Sequence, residues 1–277
     1  MFIYKNTFEN TKTINCNFPI EDQCYVSENE AIVADGITRD PIGVSDLSSC
    51  SPKEFLNKYP RPSGAELAAK EICNTFSKTN DSIKNRLIKC NNSVRLLNNK
   101  YISECDYLEN DFYGAVAACI HIENNILDYA YICDCGVIVY DSLGNIKFQT
   151  EDDKELYSDP FINKIGVAWN LPDARVIVRR DYRNNLNNIQ NGKCVSYGAL
   201  TGEVSAEEFI RSGKIELANG DIVLVYSDGF TNLLHDSEFI SQLLKFQKRE
   251  FESYIKSKSL SDYEKYGKEK TIVIFKN

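Results

Sequence analysis

The sequence predicts an α+β fold, a four-layer αββα sandwich in which two antiparallel β-sheets pack together and helices cover their outer faces. Three observations support this prediction. Short β-prone segments follow one another closely in the middle of the chain. The pair Asn219-Gly220 lies between two such segments, as in a tight hairpin. Amphipathic helical patterns occur early and late, so strands and helices are grouped rather than alternating.

The first third of the chain combines short strands with helices. Three segments have a strand-like composition, 2–8, 22–27 and 30–35. Residues 37–62 contain four prolines and are predicted to form a loop. Ser63 is a suitable helix N-cap with Glu66 three residues later, which predicts a helix over 63–76. The apolar spacing predicts a second helix over 81–104.

The middle and the end of the chain are rich in predicted strands, namely 113–123, 126–136, 137–144, 145–150, 214–218 and 221–226. The basic segment 175–183 alternates apolar and charged residues and is predicted to be a strand with arginines on one face. An amphipathic helix is expected over 236–258, followed by a buried strand over 271–275. No linker or repeat divides the chain, which predicts one domain over residues 1–277.

Composition narrows the possible functions. The 277 residues include 40 Asp and Glu against 32 Lys and Arg, for a net charge of −8. Phosphates would repel such a surface, which argues against a nucleic-acid partner or an anionic membrane partner. The two histidines argue against a multi-histidine zinc site. Carboxylates are plentiful, and they favour hard cations bound through oxygen.

The cysteines and the apolar segments indicate where the protein acts. Ten cysteines are scattered without a CxxC pair, and the N-terminal segment lacks the pattern of a signal peptide. Free thiols and a cytoplasmic location are therefore expected. The longest apolar stretch, 113–122, is about half the ~20 residues that a membrane span requires, so no membrane association is predicted.

Two Asp-Gly steps each follow an apolar strand. Asp35-Gly36 ends the segment EAIVADG, and Asp228-Gly229 ends DIVLVYSDG. An aspartate at the end of a strand is held by a rigid scaffold, and the following glycine lets the backbone approach a ligand. Two such corners brought together would suit Mg²⁺ or Mn²⁺. The alternative is that each is an ordinary turn, in which Asp-Gly is common.

Three other carboxylates stand near these corners in the predicted arrangement. If the strand 22–27 pairs with 30–35 in antiparallel fashion, Glu21 and Asp22 approach Asp35. The alternative is that both are solvated surface charges. Asp134 lies in an apolar run and requires a partner, a proton or a metal ion if it is buried. Because Gly136 follows, Asp134 could instead mark the end of a strand at a turn.

These features occur in an order that resembles the metal-dependent protein phosphatases, the PPM or protein phosphatase 2C family. The segment LANGDIVLVYSDGFTNLL resembles the block of that family in which a Gly-Asp hairpin leads into Ser/Thr-Asp-Gly. The pair Glu21-Asp22 followed by ADG resembles a second block, and SGAELAAK resembles the helix after the first corner. The resemblance runs from about Glu21 to Phe275 and implies the same αββα sandwich.

The resemblance also implies roles for individual residues. Asp35 would bridge two Mn²⁺ or Mg²⁺ ions, one of which the Gly36 carbonyl and Glu21 would also bind, with Asp22 holding bound water nearby. Asp228 would bind the other ion, and Asp134 would help to form a third, weaker site. Asp35 and Asp228 are thus the expected catalytic residues. The implied reaction is hydrolysis of phosphoserine or phosphothreonine in a phosphorylated protein by a metal-activated water.

Several positions depart from the family pattern. Lys268 stands where the family usually has a metal-binding aspartate, and the neighbouring Glu269 could substitute as a ligand. Asn17 stands where the family usually has a phosphate-binding arginine. Arg39 could take that role as a bidentate ligand, or it could be an ordinary surface arginine.

Two functions remain open on the sequence alone. The favoured one is an active Mn²⁺- or Mg²⁺-dependent serine/threonine protein phosphatase. The alternative is a phosphatase-fold regulatory or binding module that has lost turnover, for which Lys268 is the argument. A hydrolase of another phosphate ester is not distinguished from the first, and the sequence does not predict an oligomeric state.

Overall fold

A computed structural model of the chain describes residues 2–11, 18–41, 50–152 and 172–276. The first half contains strands β1 (Phe2–Phe8), β2 (Gln23–Val26) and β3 (Glu30–Gly36), then helices α1 (Pro52–Lys58), α2 (Gly64–Lys78) and α3 (Ile83–Tyr101). Four strands follow, β4 (Ala115–Glu123), β5 (Ile126–Ile132), β6 (Gly136–Tyr140) and β7 (Ile146–Gln149).

The second half begins with helix α4 (Pro172–Ile177), which continues as a π-helical turn (Val178–Tyr182). It then forms the short strands β8 (Ile189–Gln190) and β9 (Lys193–Cys194), a 3-10 turn (Val204–Phe209), and strands β10 (Arg211–Glu216) and β11 (Ile222–Tyr226). A 3-10 turn (Asp228–Phe230), helices α5 (Ser237–Lys245), α6 (Lys248–Ser261) and α7 (Tyr263–Tyr266), and strand β12 (Lys270–Lys276) complete the described chain.

The strands form two five-stranded antiparallel sheets. The first has the order β1-β12-β11-β6-β7, and the second has the order β10-β5-β4-β3-β2. Alternate residues of the first sheet point to opposite faces. Val137, Val223 and Val273 belong to one core cluster with Ala31–Ala34 of β3 and with residues of α2 and α3, so this core extends through the second sheet to the helices on its outer face. The two sheets and their flanking helices confirm the predicted α+β sandwich.

The opposite face of the first sheet packs on the late helices. Ile138, Leu224 and Ile274 lie in a second cluster with Phe239 of α5 and Phe251 of α6. The layers therefore run from α2 and α3 through the two sheets to α5 and α6. None of the helices in the described ranges combines the length and apolar character needed to cross a bilayer.

Three predicted elements differ from the structure. The segment 175–183, predicted as a strand, forms α4 and the π-helical turn instead. Its charged side chains reach buried carboxylates, as described below, so the arginines do not form the exposed face of a sheet. The predicted loop 37–62 contains α1, because Ser51 and Glu54 form a capping box and Pro52 starts the helix.

The predicted helix 236–258 is two helices interrupted at Phe246. The Phe246 ring packs against Phe2 and Tyr4 of β1, with centroid distances of 4.9 Å in each case. The interruption lets this ring pack on the first sheet. Burial of aromatic surface therefore outweighs the loss of helical hydrogen bonds at one position.

Candidate active site

The two Asp-Gly corners meet at one edge of the sandwich. Asp35 and Gly36 end β3 in the second sheet, and Asp228 follows β11 in the first. A cleft of about 160 Å³ lies between them. It is lined by Asn10, Phe18, Glu21, Asp22, Asp35, Gly36, Thr38, Asp228, Lys268 and Glu269. Packing of the two sheets thus gathers carboxylates that are almost two hundred residues apart in the chain.

Asp22 and Asp35 form the centre of this acidic cleft. The strands β2 and β3 pair in antiparallel fashion with Gln23 opposite Ala34, which confirms the expected approach of Asp22 to Asp35. Their carboxyl groups are hydrogen-bonded to each other. The Ser227 hydroxyl also donates to Asp22 Oδ2 at 2.7 Å, so the residue before the second corner holds a carboxylate of the first.

Burial, together with neighbouring negative charges, raises the pKa of these acids. Burial raises the pKa of Asp22 to about 6, and the charge of Asp228 adds to this effect. Burial also raises the pKa of Asp35 well above its ordinary value, followed by the charges of Asp22, Asp228 and Asp134. Such a group of carboxylates is stabilised by protons or by cations.

Glu21 lies in the wall of the cleft. Its Oε1 accepts hydrogen bonds from the Tyr59 hydroxyl at 2.6 Å and the Ser63 hydroxyl at 2.5 Å, and its Oε2 accepts one from Thr38 at 2.5 Å. Ser63 is also the N-cap of α2. Glu21 therefore ties the end of α1 and the start of α2 to the first corner. Its predicted role as a metal ligand stays a prediction.

Glu269 lies in the cleft together with its neighbour Lys268. Its Oε1 accepts hydrogen bonds from the backbone amides of Glu21 at 2.8 Å and Asp22 at 2.5 Å. Burial raises the pKa of Glu269 to about 8, with the charge of Asp22 adding to it. Side chains at 268 and 269 reach the same cleft because both residues precede β12, where strand alternation begins.

Lys268 forms an ion pair with the second corner. Its Nζ lies 2.7 Å from Asp228 Oδ2, while the Lys268 side chain remains 58% exposed. The position that the family pattern assigns to an acid therefore carries an ammonium group that neutralises one of the expected metal ligands. Lys270, which no sequence pattern singles out, is buried and donates from Nζ to the Lys268 carbonyl at 2.6 Å.

The two remaining predicted site residues lie outside the cleft lining. Asp134 occupies the turn between β5 and β6, and its charge contributes to the raised pKa of Asp35. Arg39 is buried and donates from Nη2 to the Glu109 carbonyl at 2.8 Å, with its guanidinium 4.8 Å from the Tyr113 ring centroid. Its Nε is buried without a hydrogen-bond partner within the described residues. Asn17 lies outside the described residues.

The residues of the cleft have the chemistry of a hard-cation site, but their side chains are not arranged as the ligands of one ion. Carboxylates and the Gly36 carbonyl are the oxygen ligands that Mg²⁺ and Mn²⁺ prefer, and the mutual repulsion of the acids favours a cation. As they stand, however, no three or more His, Cys, Asp or Glu side chains in the described ranges are arranged to hold one metal ion. Hydroxyl groups, backbone amides and Lys268 engage these carboxylates instead.

Comparison with known proteins depends on structure alone, because no protein-family model and no curated protein sequence matches this chain. The structure is similar to the Mycobacterium tuberculosis serine/threonine phosphatase PstP/Ppp, with a TM-score of 0.59, 15% identity, and coverage of 99% of this chain and 97% of that one. The chain has the fold of these phosphatases.

Two other solved structures show the same phosphatase fold. The catalytic domain of PstP in complex with two manganese ions matches with a TM-score of 0.58 at 15% identity, covering 99% of this chain and 96% of that one. A bacterial serine phosphatase carrying an arginine-to-glutamate mutation matches with a TM-score of 0.60 at 13% identity, covering 100% of this chain and 98% of that one. The resemblance stated from the sequence is thus confirmed at the level of the fold.

Replacement of Gly36 by alanine tests how tightly the first corner is packed. A Cβ atom there would lie 2.8 Å from the carbonyl oxygens of both Ala65 and Glu21, and neither backbone group can yield without moving α2 or the Glu21-Asp22 segment. We expect Gly36→Ala to destabilise the protein by about 1–3 kcal/mol in thermal or urea unfolding.

A comparison variant separates crowding from backbone preference. Gly192→Ala introduces a side chain at a left-handed position, with φ of +76°, where no atom lies within 4 Å of the added Cβ. It measures the cost of the conformation alone, about 1–2 kcal/mol. A loss for Gly36→Ala of less than about 0.5 kcal/mol, the range of ordinary surface substitutions, would contradict the packing described here.

The raised acid pKa values predict a pH-dependent stability. Folded Asp22 and Glu269 keep a proton up to about pH 6 and about pH 8, whereas the unfolded chain loses it near pH 4. The folded state therefore binds more protons over this interval, and the free energy of unfolding falls as the pH rises from about 5 to 8. Burial lowers the pKa of Lys270 to about 8, so that group alters the balance only above this interval.

Melting temperatures of the metal-free protein between about pH 5 and pH 8 measure this effect. We expect a steady decline, which added Mn²⁺ abolishes because a cation replaces the protons among the carboxylates. A melting temperature that rises over this interval without metal would contradict the assignment.

Proposed function

We propose that the acidic cleft is the active site of a cytoplasmic, Mn²⁺- or Mg²⁺-dependent phosphatase acting on phosphoserine or phosphothreonine in proteins. The observation that carries the proposal is the convergence of Asp22, Asp35 and Asp228 at the edge of a phosphatase-fold sandwich. Similarity to serine/threonine phosphatases, one of them holding two manganese ions, supports the reaction class. A phosphorylated protein is the proposed substrate, and nucleic acid and membranes are not proposed partners.

The cleft residues would have distinct roles in the reaction. Asp35 and the Gly36 carbonyl would hold one cation, and Asp228 would bind a second one. Asp22, fixed by Ser227, would orient a water molecule and accept its proton. When bound, a divalent cation supplies a more acidic water and neutralises charge on the phosphoryl oxygens. No nucleophilic side chain is needed, which suits a cleft lined by carboxylates.

Arg39 and Asp134 keep the supporting roles that the sequence suggests. The unpartnered Nε of Arg39 could donate to a substrate phosphate if its guanidinium turns from the Glu109 carbonyl towards the cleft. Asp134 would supply a further carboxylate beside Asp35. Glu21 and Glu269 would serve as ligands while also accepting the hydrogen bonds described above, because a carboxylate has more acceptor sites than these bonds use.

One observation favours a second candidate function. The 2.7 Å ion pair between Lys268 and Asp228 neutralises an expected ligand, as it would in a regulatory or binding module without turnover. Such a module would recognise a phosphorylated partner in the cleft and leave it intact.

Phosphate release separates the two candidates. The purified chain is assayed on p-nitrophenyl phosphate and on a phosphothreonine peptide, with Mn²⁺ or with EDTA. Mn²⁺-dependent release from both substrates supports the protein phosphatase. Release from p-nitrophenyl phosphate alone indicates a hydrolase of other phosphate esters. No release, combined with binding of the phosphopeptide, supports the module.

A further inference from the structure

The second Asp-Gly corner carries its own cation. Lys268 Nζ lies 2.7 Å from Asp228 Oδ2. Lys268 supplies the positive charge among the cleft-lining residues of the described chain, which otherwise contribute carboxylates and neutral groups. An ammonium this close to a carboxylate oxygen opposes a divalent cation bound to the same oxygen, because the two positive charges repel.

The backbone that presents Lys268 is held by a second lysine. Lys270 Nζ donates to the carbonyl oxygens of Lys268 at 2.6 Å and Tyr266 at 2.7 Å, and to the Ser259 hydroxyl at 3.1 Å. An ammonium has three donors, and all three are used here. The buried Lys270 therefore fixes the turn between α7 and β12 from which the Lys268 side chain begins.

The corner itself packs directly on the same turn. A Cβ atom at Gly229 would lie 2.1 Å from the Glu269 carbonyl oxygen, so the absence of a side chain permits this contact. The Glu269 carboxylate in turn binds the amides of Glu21 and Asp22. The ion pair thus joins two segments whose backbones are fixed against each other. It differs in this respect from a surface ion pair between two mobile side chains.

We propose that the Lys268 ammonium takes the place of one of two divalent cations, so that the cleft binds a single Mn²⁺ or Mg²⁺ at the Asp35-Gly36 corner. This inference rests on the proposed cation site but concerns the number of ions rather than turnover. The expectation of two ions, drawn from the resemblance, is thereby revised for this chain. Lys268 supplies fixed positive charge where the second ion would otherwise neutralise Asp228.

Counting bound ions tests the inference without an activity assay. Equilibrium dialysis against Mn²⁺, with electron paramagnetic resonance of the bound fraction, is expected to give about one isolated ion per wild-type chain. Lys268→Asp removes the ammonium and adds a ligand, and it is expected to bind about two ions that are spin-coupled. Lys268→Met adds no ligand, and it is expected to keep one ion with about tenfold tighter binding.

The outcomes are distinct. Two ions bound to the wild type overturn the inference. So does a single ion in both Lys268→Asp and Lys268→Met whose affinity differs little from that in the wild type. One ion in the wild type and two in Lys268→Asp support it. Lys256→Asp makes the same charge change at an exposed position on α6 and is expected to match the wild type, and melting curves confirm that each variant is folded. One bound ion without phosphate release would contradict the proposed function and leave this inference standing.

Discussion

Replacing Asp35 by asparagine is expected to lower Mn²⁺-dependent phosphate release by about a hundredfold or more while raising the melting temperature of the metal-free protein. Asp35 stands between Asp22, Asp228 and Asp134, whose charges together with burial raise its pKa. An amide of the same shape removes that repulsion and also removes the ligand proposed to bind the cation. Loss of activity with a gain in stability is what a site under electrostatic strain predicts.

A matched substitution isolates the effect. Asp128→Asn also removes one carboxylate, but on β5, where Asp128 pairs with the exposed Lys214 of the neighbouring strand β10. It is expected to leave phosphate release unchanged and to alter the melting temperature little. The gain for Asp35→Asn should be larger at pH 8 than at pH 5, since the repulsion grows as the neighbouring acids ionise. A lower melting temperature at both pH values would contradict the account.

Removal of the Asp111 side chain is expected to cost about 3–5 kcal/mol in unfolding free energy, because it leaves buried arginines without a counter-charge. Arg183 donates two hydrogen bonds to Asp111, at 2.8 and 2.9 Å, and both side chains are 1% exposed. Burial works to raise the pKa of Asp111, yet the charge and hydrogen bonds of Arg183, together with the charge of Arg179, outweigh it and hold the pKa below its usual range. Arg179 Nε lies 3.5 Å away and adds to this field.

Thermal unfolding measures this loss directly. Asp111→Ala is expected to lower the melting temperature by about 10 °C or more. Lys214→Ala, which breaks an exposed ion pair with Asp128, serves as the control and is expected to cost less than about 1 kcal/mol. Equal melting temperatures for the two variants would show that the buried network contributes no more than a surface pair.

The same network shows why the segment 175–183 was predicted incorrectly. Arg175, Arg179 and Arg183 recur every four residues, a spacing that also suits one face of a helix. Arg175 and Arg179 bind Asp40, and Arg183 binds Asp111. Alternation with valine and isoleucine favoured a strand, and nothing local showed that buried acids from two distant loops would select the helical face.

Some residues of the candidate site were likewise recognisable from the local sequence, whereas others depend on contacts between distant segments. Asp35-Gly36 and Asp228-Gly229 were recognisable because a strand, an acid and a glycine are adjacent in the chain. The hydroxyl groups around Glu21 could not be recognised from the sequence, because Tyr59 and Ser63 lie 38 and 42 residues from Glu21 in the chain. The capping box at Ser51 and Glu54 was a local signal for α1 that the prolines obscured.

Local pattern was sufficient for most strands of the two sheets, the two corners and the order of motifs, because alternation, turn residues and caps act between neighbours in the chain. Tertiary structure alone decided what each charge does. Asp22 shares the first corner with Asp35, Glu269 binds backbone amides, and Lys268 pairs with Asp228. The pKa and the partner of a charged group depend on burial and on charges within a few ångströms, and folding, not sequence distance, sets those neighbours.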